Sequence, residues 1–138
     1  MKHVTRLVIV LFVFAGLLLS ACGPKVETAE KVSPSKLEPI EGTDLSRVIL
    51  TEKAAERLGI ETVSASGNEV PYAAVIYDTE GNTWVYTSPE PLTFMRASIL
   101  IDHIEGDTAV LSESLTSALN VVTVGVAELY GTETGVSK

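Results

Sequence analysis

The chain of 138 residues has one cysteine, two histidines and few basic side chains. A single cysteine excludes an internal disulfide and a cysteine-based zinc site, and two histidines leave little material for a metal cluster. Ten lysines and arginines stand against 18 aspartates and glutamates, which gives a formal net charge of -8. Nucleic acid requires clustered positive charge, so we predict no nucleic-acid partner. From the cysteine and histidine counts we predict no metal, and we predict no cofactor.

A second long hydrophobic run is also missing, since the only one lies between Leu7 and Leu19. It is short for a membrane span, which needs roughly 20 apolar residues. Lys2 and Arg6 precede the run and small residues follow it. Residues 1–21 therefore have the three parts of a secretory signal peptide.

The end of this signal is more specific than an ordinary cleavage site. Leu19, Ser20, Ala21 and Cys22 resemble the lipobox of bacterial lipoproteins. The resemblance implies that Cys22 is lipidated and becomes the first residue of the mature protein. An ordinary signal peptide with a chance cysteine is the alternative, but it leaves an unpaired cysteine in a secreted chain. We predict an extracytoplasmic protein held on the membrane by lipid, with outer-membrane sorting open in a cell that has one.

Behind the cysteine the chain divides into a linker and one small domain. Residues 22–46 combine prolines with charges of both signs, which predicts a disordered linker. Residues 47–138 are long enough for a single domain. Thr51 and Gly59 are residue types that begin and end helices, and the residues between them favour a helix of two turns.

The remainder of the domain is predicted to be β. About six short segments rich in Val, Ile and Tyr follow one another at a spacing of about 8–12 residues. Gly81 and Gly106 fall in the turns of two predicted hairpins. Residues 93–104 alternate, which predicts one strand buried on one side. The predicted fold class is mainly β, a small β-sandwich or barrel-like domain with one short helix.

Few side chains suit catalysis or metal binding, and each has a simpler interpretation. His103 follows Asp102, but adjacent strand residues point to opposite faces, so Asp102 is not expected to orient it. Met95 fits a core position. The candidate nucleophiles lack a base and a glycine-rich elbow, and the carboxylates in turns fit solvated charges better than a calcium site. These two sets are Ser112, Ser114 and Ser117, and Glu80, Glu105, Asp107 and Glu113. We therefore predict that the protein is not an enzyme.

Aromatic residues are few, but four of them occur close together: Tyr72, Tyr77, Trp84 and Tyr86. Trp84 and Tyr86 lie two residues apart in one predicted strand and so share a face. Packing in the core is the simple interpretation, whereas an exposed pair would mark a partner or ligand surface. We assign Trp84 and Tyr86 as candidate partner-binding residues.

Two stretches carry a resemblance to a known family. One is VILTEKAAERLGIET at 48–62; the other begins with VPYAAVIYD at 70–78 and continues through WVY at 84–86, VVTVG at 121–125 and ELYG at 128–131. They resemble periplasmic adaptor subunits, the membrane fusion proteins of resistance-nodulation-division efflux systems. In full adaptors the two regions lie far apart in sequence and together build the membrane-proximal β domain.

The resemblance covers roughly residues 47–131, and a few residues join its two parts here. It implies a membrane-proximal domain alone, without the helical hairpin, the lipoyl domain or the middle barrel. None of its motifs is catalytic. The implied function is a non-enzymatic interaction module, an accessory or truncated adaptor that docks on a transporter permease. The alternative is a stand-alone ligand-binding lipoprotein of the cell envelope that keeps only the fold.

Overall fold

The computed structural model describes residues 33–135, and this part of the chain is mainly β. Ten strands form two antiparallel sheets, of seven and three strands, and two short α-helices accompany them. The arrangement is a small β-sandwich-like domain, which confirms the predicted fold class. It has more strands than the six expected and a second helix.

Each element is short, as the dense turn signals in the sequence require. The strands are β1 (Ser35–Pro39), β2 (Ser46–Leu50), β3 (Glu61–Ala65), β4 (Glu69–Pro71), β5 (Val75–Tyr77), β6 (Thr83–Glu90), β7 (Thr93–Ile99), β8 (Ile101–Glu105), β9 (Thr108–Leu111) and β10 (Leu119–Val124). The helices are α1 (Glu52–Leu58) and α2 (Val126–Thr134), and Tyr72–Ala74 form a 3-10 turn. The larger sheet has the order β1-β2-β7-β6-β10-β3, with β5 also paired to β6, and the smaller sheet has the order β4-β9-β8.

The larger sheet is buried on both faces. One face and the smaller sheet enclose a first core cluster, which includes Val85, Ile99 and Leu111. The other face is covered by the two helices and forms a second cluster, which includes Phe94 and Leu129. Because Phe94 and Ile99 of β7 belong to opposite clusters, the prediction that residues 93–104 are buried on one side only is wrong.

The ends of α1 follow from local chemistry, as predicted. The Thr51 hydroxyl accepts a hydrogen bond from the Ala54 backbone N–H at 3.2 Å. Gly59 ends the helix with a φ of 62°, and its N–H donates to carbonyls of the last turn. The left-handed conformation suits glycine because it has no Cβ.

Both predicted hairpins are confirmed. β5 and β6 pair antiparallel around a turn that contains Gly81 at a φ of 87°. β8 and β9 pair around Gly106 at a φ of 59°. A turn that needs a positive φ can be predicted from sequence, because few residues other than glycine adopt that conformation without strain.

The predicted linker ends earlier than residue 46. Residues 35–39 form β1, which pairs with β2 from Ser35 opposite Leu50 to Pro39 opposite Ser46. The disorder prediction is therefore wrong for this segment. As the edge of the larger sheet, β1 is mostly exposed and carries charge and a terminal proline. These features are typical of protected edge strands. They also resemble the composition of a linker, so composition alone does not predict this strand.

The segment predicted as one strand over 93–104 is two strands in different sheets. β7 ends at Ile99, and β8 begins at Ile101. Leu100 lies at the corner with 62% of its surface exposed, and its carbonyl accepts a hydrogen bond from the Ser112 N–H at 2.9 Å. A chain that changes sheets keeps its alternation through the corner, so periodicity alone does not reveal the break.

The second helix, α2, was not predicted from the sequence. Gly131 and two threonines disfavour helix, and nine residues are too few to be stable alone. Gly125 begins the helix at a φ of 85°, where an added Cβ would lie 2.2 Å from the Ile60 Cδ1 atom. Leu129 is fully buried, so packing on the sheet stabilises this helix.

The predicted signal peptide (residues 1–21) and Cys22 lie outside the described residues. Within residues 33–135, none of the helices combines the length and the apolar character that a membrane crossing would require.

Candidate functional site

The structure places Trp84 and Tyr86 on one face of β6, as predicted, but that face is turned toward the helices. Tyr86 is 0% exposed and Trp84 is half-buried. The prediction that Tyr86 contacts a partner is therefore wrong. The two rings instead form part of a buried group of side chains, here called the arginine cluster, which consists of Trp84, Tyr86, Arg96, Tyr130 and Glu133.

An ion pair lies at the centre of the arginine cluster. Arg96 donates from Nε to Glu133 Oε2 at 2.8 Å and from Nη2 to Oε1 at 3.2 Å. Their side chains are only 11% and 3% exposed. The Tyr86 hydroxyl and the Ser46 backbone N–H also donate to the Glu133 carboxylate. This geometry ties α2 to β2, β6 and β7 through one carboxylate.

Two aromatic rings cover the guanidinium of Arg96. Its Cζ lies 5.0 Å from the centroid of the Trp84 ring and 5.4 Å from that of Tyr130. A planar guanidinium between ring faces gains cation–π attraction while its N–H groups remain free to bond in the plane. Arg96 therefore has its charge matched by Glu133 and its Cζ within cation–π distance of two aromatic rings.

The chemistry of the arginine cluster fits a structural contact between α2 and the sheet better than a catalytic site. Burial raises the pKa of Tyr86, and the adjacent Glu133 carboxylate raises it further, so the phenol keeps its proton and remains a donor. Within residues 33–135, every buried side-chain nitrogen or oxygen has a hydrogen-bond partner. We interpret the arginine cluster as the contact that fixes α2 on the sheet.

Trp84 is also hydrogen-bonded to the turn between β5 and β6, through Asp78. Asp78 accepts hydrogen bonds from the indole Nε1–H of Trp84 at 2.9 Å and from the backbone N–H groups of Glu80 and Asn82 at 2.9 and 2.8 Å. The Asn82 side-chain amide donates to it as well, at 2.9 Å. Hydrogen bonds to Asn82 and Trp84 lower the pKa of Asp78 to about 2.

Replacing Asn82 by alanine is expected to raise the pKa of Asp78, because the largest cause of its depression is the Asn82 side chain. A carboxyl whose folded pKa is depressed stabilises the fold above its unfolded pKa, near 3.8 here, and this contribution disappears as the pH falls toward 2. A carbon-detected NMR titration of the Asp78 carboxyl measures the change. Thr79→Ala in the same turn is the control, and an unchanged titration in the Asn82 variant would contradict the assignment.

The exposed aromatic residues are Tyr72 and Tyr77, here called the tyrosine surface. Their exposed fractions are 42% and 52%. The neighbouring Tyr72 phenol raises the pKa of Tyr77, because the Tyr77 hydroxyl keeps its proton as a donor toward Tyr72. The Tyr72 backbone N–H donates to the Asp107 carbonyl at 2.8 Å, which places this surface at the end of the smaller sheet. The sequence singled out both tyrosines but did not separate them from the buried pair.

The part of the chain that carries the tyrosine surface has an excess of carboxylates. Between residues 59 and 135 the sequence has 11 aspartates and glutamates but a single lysine or arginine, Arg96. Since Arg96 is paired with Glu133, no lysine or arginine of this part offsets the other ten carboxylates. A surface of this kind attracts partners with basic residues and repels anionic ones.

A groove of about 400 Å³ opens beside β7. Residues 97–100 form one wall, and the other is contributed by residues from the end of β9 to the start of β10, namely Leu111, Glu113, Ser114, Leu115, Thr116 and Leu119. Val85 contributes to the lining from β6. All of its lining residues belong to the described part of the chain. Among these residues, only Glu113 carries a charge.

The side chains considered for catalysis have mostly exposed positions. His103 Nδ1 lies 2.8 Å from Asp102 Oδ2, so the expectation that Asp102 is not placed to orient His103 is wrong. A register irregularity of β8 near these residues disturbs the regular alternation. Both side chains are more than half exposed, which fits a solvated pair. Met95 is half-buried and belongs to neither core cluster.

The candidate serines and turn carboxylates are exposed, and of these only Glu113 and Ser114 line the groove. Ser112, Ser117, Glu80, Glu105 and Asp107 lie outside it. In the range 33–135, no three side chains of His, Cys, Asp or Glu come together in a way that could hold a metal ion.

Comparison with known proteins identifies no relative of this chain. No protein-family model matches it, and neither a curated protein nor a solved structure matches it. Its fold and site define a small β-sandwich-like domain with a buried arginine cluster, an exposed tyrosine surface and a groove.

Proposed function

We propose that the protein is an extracytoplasmic lipoprotein, anchored through Cys22, whose β domain is a non-enzymatic interaction module. Its partner is a membrane transporter, on which it docks as an accessory or shortened adaptor. The observation that carries this proposal is the exposure of Tyr72 and Tyr77 side by side. The stretch that contains both tyrosines, residues 70–78, is also part of the resemblance to efflux adaptors.

The chemistry of the tyrosine surface supports a protein partner. Tyrosine is enriched in protein interfaces because its ring buries apolar area while its hydroxyl still bonds to water or to a partner. The excess of carboxylates in this part of the chain favours a partner surface that carries lysine and arginine. It disfavours an anionic lipid headgroup and a second copy of this acidic chain.

Site-specific photo-crosslinking in the native host tests this docking. p-Benzoylphenylalanine is placed at position 72 or 77 of the full chain, with position 37 as the control. Leu37 is 41% exposed and lies on β1 at the edge of the larger sheet, separated by three strands from β5, which carries Tyr77. We expect a permease subunit to be crosslinked from positions 72 and 77 several-fold more strongly than from 37. Equal yields from all three positions would contradict the proposal.

A stand-alone ligand-binding role is the second candidate function. One observation favours it, namely the groove beside β7, whose volume of about 400 Å³ lies within the range of small-molecule sites.

A further inference from the structure

The groove beside β7 reaches into the hydrophobic core. Val85, Ile99 and Leu111 belong to the first core cluster and also line the groove. Leu115 and Leu119, which pack against that cluster, contribute apolar surface from the opposite wall. An apolar body lying in the groove would therefore continue the packing of the core and remove apolar surface from water.

The size of the groove selects the class of occupant. Ligand sites typically have volumes of roughly 300–1,000 Å³, and the groove, at about 400 Å³, lies near the lower end. This volume suits a small molecule. Ser114 and Thr116, two further lining residues, carry neutral hydroxyl groups.

The charge of the groove lining indicates which sign of ligand charge is favoured. Glu113 is exposed and contributes a carboxylate to the lining. Arg96, the one lysine or arginine between residues 59 and 135, contacts Trp84 and Glu133 on the helix-covered face of the sheet. Ala97, the next residue, lines the groove on the other face. An anionic ligand would therefore meet the Glu113 carboxylate, whereas a cation would be attracted to it.

We propose that this groove binds a small amphipathic cation. Its apolar part lies against Leu115 and Leu119, and its ammonium group lies beside Glu113. The inference names the ligand class of the second candidate function and therefore rests on it. It does not depend on docking at the tyrosine surface. The crosslinking experiment at positions 72 and 77 can therefore fail while ligand binding in the groove succeeds, and the reverse.

The test is a methyl NMR titration of the full chain, leucine-methyl labelled, in phosphatidylcholine nanodiscs. The probes are hexyltrimethylammonium and hexane-1-sulfonate, which share one apolar chain and differ in the sign of their charge. The groove leucines Leu100, Leu111, Leu115 and Leu119 report binding. Leu50, Leu58 and Leu129, which belong to or pack against the second core cluster, serve as references.

We expect the ammonium to shift the groove leucines in a saturable manner and to leave the reference leucines unchanged, with sulfonate binding at least about tenfold weaker. Glu113→Gln is expected to weaken ammonium binding several-fold, while Glu105→Gln, an exposed carboxylate of β8 outside the groove, leaves it unchanged. Equal response to both probes, equal effects of the two substitutions, or no saturable shift of the groove leucines would each overturn the proposal.

Discussion

Replacing Glu133 by alanine is expected to lower the free energy of unfolding by about 3–5 kcal/mol. The substitution leaves the Arg96 guanidinium with 11% of its side chain exposed and without its carboxylate. It also removes the acceptor for the Tyr86 hydroxyl and the Ser46 N–H. Urea unfolding of the full chain, followed by circular dichroism and by the fluorescence of Trp84, measures the loss.

An exposed ion pair in the same chain supplies the matched control. Arg47 Nη1 lies 3.7 Å from Glu38 Oε2, and these side chains are 43% and 37% exposed. Arg47→Met is expected to cost at most about 1 kcal/mol, because solvent screens such pairs. The double variant Arg96→Met with Glu133→Leu is expected to recover much of the stability lost by Glu133→Ala, because no buried charge is then left alone. A cost for Glu133→Ala no larger than that of the control would contradict the account of the arginine cluster.

The largest expected effect outside the β domain is at the N-terminus. The parent chain is expected to incorporate labelled palmitate in its native host, and Cys22→Ala is expected to abolish this incorporation. The physical reason is that the cysteine sulfur is the atom that carries the lipid in the proposed lipobox. Two or more acyl chains give stable anchoring, at about 0.8 kcal/mol per buried CH₂ group.

Ser20→Ala is the control for this experiment, since it keeps both the cysteine and the small-residue character of the cleavage site. It is expected to retain the label. A parent chain without label, or a Cys22→Ala variant that keeps it, would show that residues 1–21 are an ordinary signal peptide or a different kind of segment.

Local chemistry explains which parts of the fold could be predicted. The helix ends at Thr51 and Gly59, and the turns at Gly81 and Gly106, depend on groups within a few residues of each position. Such features are encoded by residue type and spacing. The mainly β fold class follows in the same way from short runs of β-branched and aromatic residues between turns.

Other elements depend on contacts distant in sequence. α2 contains Gly131 and is stabilised by burial of Leu129 and by the ion pair of Glu133 with Arg96, 37 residues away. β1 exists because it pairs with β2, although its own composition is that of a linker. Propensity cannot report such contacts, because tertiary packing overrides it.

The candidate site shows the same division. The two-residue period placed Trp84 and Tyr86 on one face, which the structure confirms, but their burial depends on α2 and on Arg96 of β7. Tyr72 and Tyr77 are exposed because one lies in a 3-10 turn and the other at the end of β5. Period and composition do not distinguish the two pairs, since all four residues are aromatic and lie in segments with strand-like composition.

Co-purification from detergent-solubilised membranes of the native host tests the central claim most directly. The full chain carries a C-terminal tag, and Cys22→Ala serves as the unlipidated control. We expect a transporter permease to be recovered in near-stoichiometric amounts with the parent chain and to be depleted with the variant. Recovery of the tagged chain alone would contradict docking on a transporter and leave the groove as the remaining candidate site.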